Sequence, residues 1–407
     1  MENAGEKARE FRQNWKVLLA ATLGSAAGLS SIPFYSLGSF IAPLQAEFNW
    51  TRGDIASSFL YTTIVLAIIS PALGLLIDRI GVRILALVSI PLLAALLFAI
   101  SRFNGGSVLA FHGLYALAAI LGSGTTPINY TRAVNGAFHS ARGLALGISQ
   151  AAIALAAIGL PLMLAAINTS YGWRTGYVAL ALLTIIPLPF VLFGMGGNAV
   201  APQTKVTSNS NMPSAVRSPV FWLVGVSFSI VAIAVSALVV HMVPLLRDAG
   251  MTPMAAASTA SIIGVGVLGG RLATGYLIDR IFAPYVASFL FILTAVGSLL
   301  LLQGGAQLAP VAAALIGLSL GAEADLIAYL TARYFGMARY GFNYALIYSL
   351  FVLGTALGPA LAGTAYDLSG SYKSTLLGII VLLVVGSIAI LCLPRFERHA
   401  AQPEAAE

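Results

Sequence analysis

Apolar residues fall in twelve long runs along this chain, and polar residues gather in the gaps between them. The runs cover roughly 15–44, 53–77, 82–101, 106–134, 143–169, 174–195, 218–246, 253–278, 284–303, 307–334, 341–366 and 373–393. A helix needs about 20 mostly apolar residues to cross the hydrocarbon layer, so each run predicts one membrane-spanning helix. The longer runs must tilt or project beyond the layer. Trp15, Trp50, Trp173 and Trp222 stand at run ends, where indole rings anchor at the membrane interface.

The gaps divide the chain. Residues 196–217, rich in Gly, Pro, Asn, Ser and Thr, form the longest and read as a cytoplasmic linker. It separates a six-helix half at 1–195 from a second at 218–394, and 395–407 read as a polar tail. The halves echo each other. Gly74-Leu-Leu-Ile-Asp-Arg-Ile80 returns as Gly275-Tyr-Leu-Ile-Asp-Arg-Ile281, 201 residues on. Phe138-His-Ser-Ala-Arg142 and Phe335-Gly-Met-Ala-Arg339 follow spans four and ten, and Trp173-Arg174 and Tyr372-Lys373 open the last span of each half. The predicted fold class is therefore all-α membrane protein, with twelve transmembrane helices in two pseudo-symmetric six-helix halves. Two such halves rocking about a central site are the architecture of a secondary transporter.

Composition agrees. Charged residues are 9% of the 407, and apolar residues 59%, too little polar surface for a soluble protein of this length. The net charge of +7 invites a nucleic-acid reading, but its placement argues for topology instead. Fifteen of the 21 Lys and Arg residues fall on the side of the N-terminus. Five, namely Arg52, Arg102, Arg174, Arg247 and Lys373, fall on the other, and Arg271 lies within a span. Basic residues concentrate on the cytoplasmic side, so both termini are expected in the cytoplasm, with the chain in the cytoplasmic (inner) membrane. The single cysteine, Cys392, excludes a disulfide framework or thiolate metal site within one chain. No phosphate-cradling Gly-x-x-x-x-Gly-Lys-[Ser/Thr] loop is present, so the energy source is expected to be a gradient and not ATP. No cofactor and no metal is implied. The expected partners are the lipid bilayer, a small organic anion and a proton, and the expected unit is a monomer.

Twelve spans with Gly74-x-x-x-Asp78-Arg79-x-Gly81-x-Arg83 between the second and third resemble the major facilitator superfamily across essentially the whole chain. Four further stretches are similar to its bacterial branch that groups monocarboxylate transporters with the oxalate/formate antiporter. These are Trp50-Thr-Arg-Gly-Asp54, Arg142-Gly-Leu-Ala-Leu-Gly147, Gly270-Arg271, and Glu323-Ala-Asp325 with Arg333-Tyr-Phe-Gly336. Drug/proton antiporters of the superfamily carry a Gly-Pro-x-x-Gly-Gly type motif in span five, where this chain has Gly159-Leu-Pro161. The resemblance implies a gate latch built from Gly74, Asp78, Arg79 and Arg83 and repeated at Gly275, Asp279 and Arg280. A carboxylate at a helix end can meet a neighbouring helix N-terminus or an arginine, and Gly74 would let helices approach closely.

An ionisable group deep in a span costs a few kcal/mol or more, so each needs a partner or a task. Arg271 lies eight residues before Asp279, about 12 Å from the end of span eight, and Asp325 lies eight residues before Arg333 at similar height. Glu323 points to a different helix face. One reading has the planar fork of Arg271 binding a substrate carboxylate, which is the role the resemblance gives this position; the other is a permanent ion pair that fixes packing. Glu323 and Asp325 are candidates for proton coupling, because a carboxyl that pairs with Arg271 when ionised and releases it when protonated would link proton to anion. Both also fit structural pairing. Tyr35, Asn129, Tyr130, Tyr344 and Tyr348 offer hydroxyl or amide groups to a cavity ligand, or serve packing. His112 and His241 read as interhelical histidines that could titrate.

The chain departs from the branch at three places. Tyr35 stands where mammalian-type monocarboxylate transporters have a Lys, Val267 where they have an Asp, and Phe351 where the oxalate/formate antiporter has a Lys. One cavity cation instead of two fits a substrate with one carboxylate and an apolar or aromatic remainder. The expected function is proton-linked transport, or anion exchange, of such an acid. Efflux of amphipathic compounds and a transport-silent membrane sensor remain as alternatives. No nucleophile–base pattern points to an enzyme.

Overall fold

The computed structural model describes residues 2–139, 141–195, 215–278, 280–336 and 340–396, and these hold helices and turns without a strand. The helices are α1 (Glu2–Ala26), α2 (Ile32–Phe48), α3 (Arg52–Ser101), α4 (Val108–Leu121), α5 (Pro127–Ala137), α6 (Arg142–Tyr171) and α7 (Trp173–Ile185). They continue as α8 (Pro187–Gly194), α9 (Pro219–Asp248), α10 (Pro253–Ile278), α11 (Ala283–Phe335), α12 (Tyr340–Ser369) and α13 (Tyr372–Leu391). Most of the linker expected at 196–217, and the tail beyond 396, lie outside the described residues.

Helices α3 and α11 run for 50 and 53 residues, far longer than a bilayer is thick. Each doubles back at one glycine, Gly81 (φ 84°, ψ 155°) in α3 and Gly305 (φ 49°, ψ −128°) in α11. Positive φ is open to glycine at little steric cost, and this is why the expected loops fall there. Among the described residues nine helical segments are long and apolar enough to cross a membrane. One of them, α11, holds two spans, and the pairs α1–α2 and α4–α5 each make one interrupted span. The chain thus has twelve spans in two six-helix halves, and the described chain starts and ends on one face, the terminal face. The other is the distal face.

The runs at 15–44 and 106–134 were expected as continuous helices, and both are broken. The break between α1 and α2 packs on the 3-10 turn Ser123–Thr125 between α4 and α5. Leu29 N–H donates to Thr125 Oγ1 (3.0 Å) and Ser31 Oγ to Ser25 O (2.6 Å), so backbone groups freed by the breaks are bonded again inside the membrane. A Cβ on Gly28 would come within 2.1 Å of Thr125 O, which fixes that crossing to glycine. Trp173, expected as an interfacial anchor, is instead 5% exposed and donates through Nε1 to Glu47 (2.6 Å).

Each half has its own apolar core. The second half packs around Phe228 and Phe291, and the first splits into a distal cluster with Phe40 stacked on Tyr177 (4.1 Å) and a terminal cluster around Tyr130 and Phe138. The halves meet on the distal side. Gly38 of α2 lies against Val240 O of α9, and Gly264 of α10 against Ala154 and Ile158 of α6. Gly53 of α3 lies against Thr364 and Asp367 of α12. Toward the terminal face Gly74, Gly147 and Gly275 have only open space beside them. The close approach expected at Gly74 is therefore not made: the halves are closed distally and parted at the terminal side.

Candidate anion site and distal gate

The site is built on a glycine seam. Helices α10 and α11 pack backbone to backbone, for a Cβ on Gly270 would come within 2.1 Å of Leu318 O and one on Gly321 within 2.2 Å of Val267 O. This contact brings Arg271 beside Asp325, Nε to Oδ2 4.0 Å, with the side chains 27% and 44% exposed. Nε has no hydrogen-bond acceptor. The equal height expected for the two residues is what the structure shows.

Glu323 behaves differently. Two residues back on α11 it turns to another face, is 2% exposed, and has Oε1 without a hydrogen-bond partner. It makes no ion pair among the described residues. Tyr35 on α2 and Tyr348 on α12 both lie within Coulombic reach of Arg271 and Glu323, so groups from both halves converge here. Tyr344 stacks on Tyr348 (5.4 Å, 20°), and Phe351 follows at 5.5 Å. These rings make an aromatic ladder on one side of α12. Tyr35 also reaches a small cavity of about 20 Å³ under the distal seam, shared with Ser39, Val239, Ala260 and Ile263.

Two expected site residues stand apart from this group. Asn129 is fully buried, and its Nδ2 donates to Val82 O (3.0 Å) and Gly124 O (2.9 Å). Its amide nitrogen pins the α4–α5 break, and its Oδ1 is buried without a hydrogen-bond partner. Tyr130 is fully buried in the terminal cluster of the first half, its hydroxyl facing Gly24 without a hydrogen-bond partner. Both histidines are bonded between helices: His112 Nε2 to Asp54 O (2.7 Å), and His241 to Tyr372 hydroxyl (2.8 Å) and Pro359 O (2.9 Å).

The repeated loop motif sits where the halves are parted. Arg83 donates to Leu192 O of its own half (2.7 Å). Arg280 donates to Tyr276 O (3.0 Å) and lies over the Tyr276 ring (3.6 Å). Arg79 is exposed, and the side chain of Asp78 and the whole of Asp279 lie outside the described residues.

A second polar cluster closes the distal face, and its centre is Arg52, which the sequence showed as a charge on that side and as part of Trp50-Thr-Arg-Gly-Asp54 without a role in a site. Thr51 and Asp54 form a capping box, each accepting the other's backbone N–H at 3.1 Å, and this starts α3 at Arg52. Arg52 then reaches into the second half. Its guanidinium spans the Asp248 carboxylate (2.8 and 2.9 Å), donates to Tyr372 hydroxyl (2.9 Å) and lies 3.8 Å over Tyr366. The signal was present in Trp50-Thr-Arg-Gly-Asp54, but the partners come from helices about 200 to 320 residues away.

Comparison with known proteins fits this geometry. A family model described as Major Facilitator Superfamily matches residues 23–324. The human Monocarboxylate transporter 11 is 27% identical over 406 residues, covering 94% of this chain and 83% of that protein. The Oxalate:formate antiporter of Oxalobacter formigenes is 27% identical over 381 residues, covering 89% and 88%. Among solved structures, a D-xylose-proton symporter superimposes with a TM-score of 0.71 at 15% identity, covering 94% of this chain and 98% of that one. A bacterial homolog of the human lysosomal transporter Spinster, inward-facing and unoccupied, gives 0.67 at 15% identity, covering 92% and 94%. The two structures establish the fold, and the family is one of transporters and not of enzymes. With its twelve spans, paired halves and family match together, the chain belongs to the Major Facilitator Superfamily, and its sequence relatives are of the monocarboxylate transporter and oxalate:formate antiporter type.

Proposed function

We propose that this transporter carries a small organic monocarboxylate together with a proton, and that Arg271 receives the carboxylate. The observation that carries the reading is the loose pairing of Arg271. Its Nε stands 4.0 Å from Asp325 without a hydrogen bond, so the guanidinium keeps donors for an arriving anion. A planar fork matches a carboxylate in two parallel hydrogen bonds, and Asp325 marks where such a group is attracted. Tyr35 of the first half and Tyr348 of the second would orient the bound acid.

Glu323 carries the proton in this scheme. An ionised carboxylate buried without a cation is costly, and a transported proton removes that cost. Asp325 is the resting counter-ion of Arg271 and gives way when substrate binds. The ladder of Tyr344, Tyr348 and Phe351 supports an acid whose remainder is aromatic, since ring faces stack with about 0.5–1.5 kcal/mol beyond their burial.

The distribution of Lys and Arg supports placing the terminal face in the cytoplasm of a cell with an inner membrane, both termini inside. The parted side then opens inward. The halves at 1–195 and 218–394 would move as units about the 196–217 linker within one monomer, and the repeated loops around Asp78 and Asp279 would close the terminal face in the opposite state. No ATP enters the cycle.

The test is uptake into proteoliposomes of short aliphatic, hydroxy and aromatic acids, with and without an imposed pH gradient. Accumulation of at least one monocarboxylate that needs the gradient is expected. Movement of amphipathic cations without movement of any acid would overturn the proposal in favour of efflux.

A further inference from the structure

We propose that Arg52 is the lock of the distal gate, and that opening of this transporter to the distal side proceeds by breaking its contacts. Arg52 belongs to the first half, is 8% exposed, and is held by residues of three helices of the second. Asp248 at the end of α9 takes both ends of the guanidinium fork, Tyr372 of α13 accepts from Nη1, and Tyr366 of α12 lies under the plane. The Asp367 carboxylate of α12 accepts the backbone N–H groups of Arg52 (3.0 Å) and Gly53 (2.7 Å), capping α3 from across the interface. His241 of α9 holds the Tyr372 hydroxyl in place from behind. By contrast the Arg174–Glu47 and Arg271–Asp325 pairs each lie within one half.

The internal repeat shows that this lock is one-sided. The residue 201 positions after Arg52 is Pro253, at the start of α10, which cannot supply a charge. The seam related by the repeat, α6 against α10, is closed by Gly264 against Ala154 and Ile158 and by one hydrogen bond, Ser261 Oγ to Ile158 O (2.6 Å). Close-packed backbones can slide apart with small losses at each step. The buried Arg52 fork holds the Asp248 carboxylate through both Nη atoms and the Tyr372 hydroxyl, while Asp367 takes the backbone N–H groups of Arg52 and Gly53, so opening this seam loses several charge-assisted hydrogen bonds together. The α3–α12 seam therefore sets the free-energy difference between distal-closed and distal-open states, while the α6–α10 seam follows.

Arg52 also lies far from Arg271 in role, so the inference can be tested without substrate. In a Cys392→Ser background, Ala260→Cys places a thiol in the small cavity beneath the distal seam, where Ala260 is 6% exposed. A membrane-impermeant maleimide is added from the distal side. Labelling should be slow with Arg52 intact. It should quicken about tenfold in Asp367→Asn, the shift expected when one charge-assisted contact is lost, and by at least as much in Arg52→Gln, which removes the whole fork. Arg52→Lys, a point charge without the fork, should fall between. Unchanged labelling in both Arg52→Gln and Asp367→Asn, each monodisperse after purification, would overturn the proposal. Should Arg52→Gln fail to fold, Asp367→Asn and Tyr372→Phe decide it by the same rates. Failure here leaves the carrier reading intact, and failure of that reading does not alter these rates.

Discussion

Arg271 Nε and Asp325 Oδ2 face each other at 4.0 Å, near enough to attract and too far to hydrogen bond. A structural ion pair buried for packing would close that gap, because a desolvated pair is stable only when its hydrogen bonds are made. On the proposed reading, the open spacing leaves the guanidinium to a second partner that arrives from outside.

Removing the resident competitor should then help the ligand. Asp325→Asn should tighten binding of the transported acid by up to about fivefold, since a pair this exposed is worth about 0–1 kcal/mol. Calorimetric titration of purified protein measures it. A tenfold loss of affinity would show that Asp325 itself holds the substrate.

Glu323 separates binding from energy coupling. Glu323→Gln keeps shape and removes the titrating proton, so exchange of labelled for unlabelled acid should persist while accumulation driven by a pH difference disappears. If Glu323→Gln still accumulated acid against its gradient, the coupling proton would have to sit elsewhere.

The aromatic ladder should read the substrate's body. Tyr348→Ala should weaken an aromatic acid roughly fivefold to tenfold, the equivalent of one lost ring contact. A short aliphatic acid should change less than about twofold, because it has no face to stack. Competition of a panel of acids against one radiolabelled substrate gives both numbers, and equal losses would remove the ladder from recognition.

The glycine seam predicts a contrast between two positions of one helix. Gly270→Val must push α10 off Leu318, and overpacking of this kind costs about 1–3 kcal/mol or more, visible as a lowered unfolding temperature. Gly275→Val meets open space in this conformation and should leave that temperature nearly unchanged. A larger loss at Gly275 than at Gly270 would put the close helix contact at the wrong end of α10.

Several of these features were legible in the residues, for physical reasons. Long apolar runs have one stable placement in a bilayer, so the twelve spans and the turns at Gly81 and Gly305 followed from hydropathy. The eight-residue spacings to Asp279 and Arg333 placed Arg271 and Asp325 at one height because helical rise is constant. The breaks before Ile32-Pro33 and Thr126-Pro127 escaped. A hydropathy window averages over Gly, Ser and Thr, although the prolines signalled a helix start. Asn129 looked available because nothing local shows that Val82 O and Gly124 O take its amide. Arg52 was hidden for the same reason on a larger scale, since Asp248, Asp367 and Tyr372 reach it only in the folded chain.

The most direct measurement is uptake of the best transported acid by Arg271→Gln and Arg271→Lys, beside the unchanged protein, with surface folding checked by a monodisperse elution profile. Arg271→Gln should abolish saturable uptake and Arg271→Lys should retain a weakened affinity, because lysine keeps the charge and loses the fork. Uptake in Arg271→Gln equal to that of the unchanged protein for every transported acid would contradict the proposed role of Arg271.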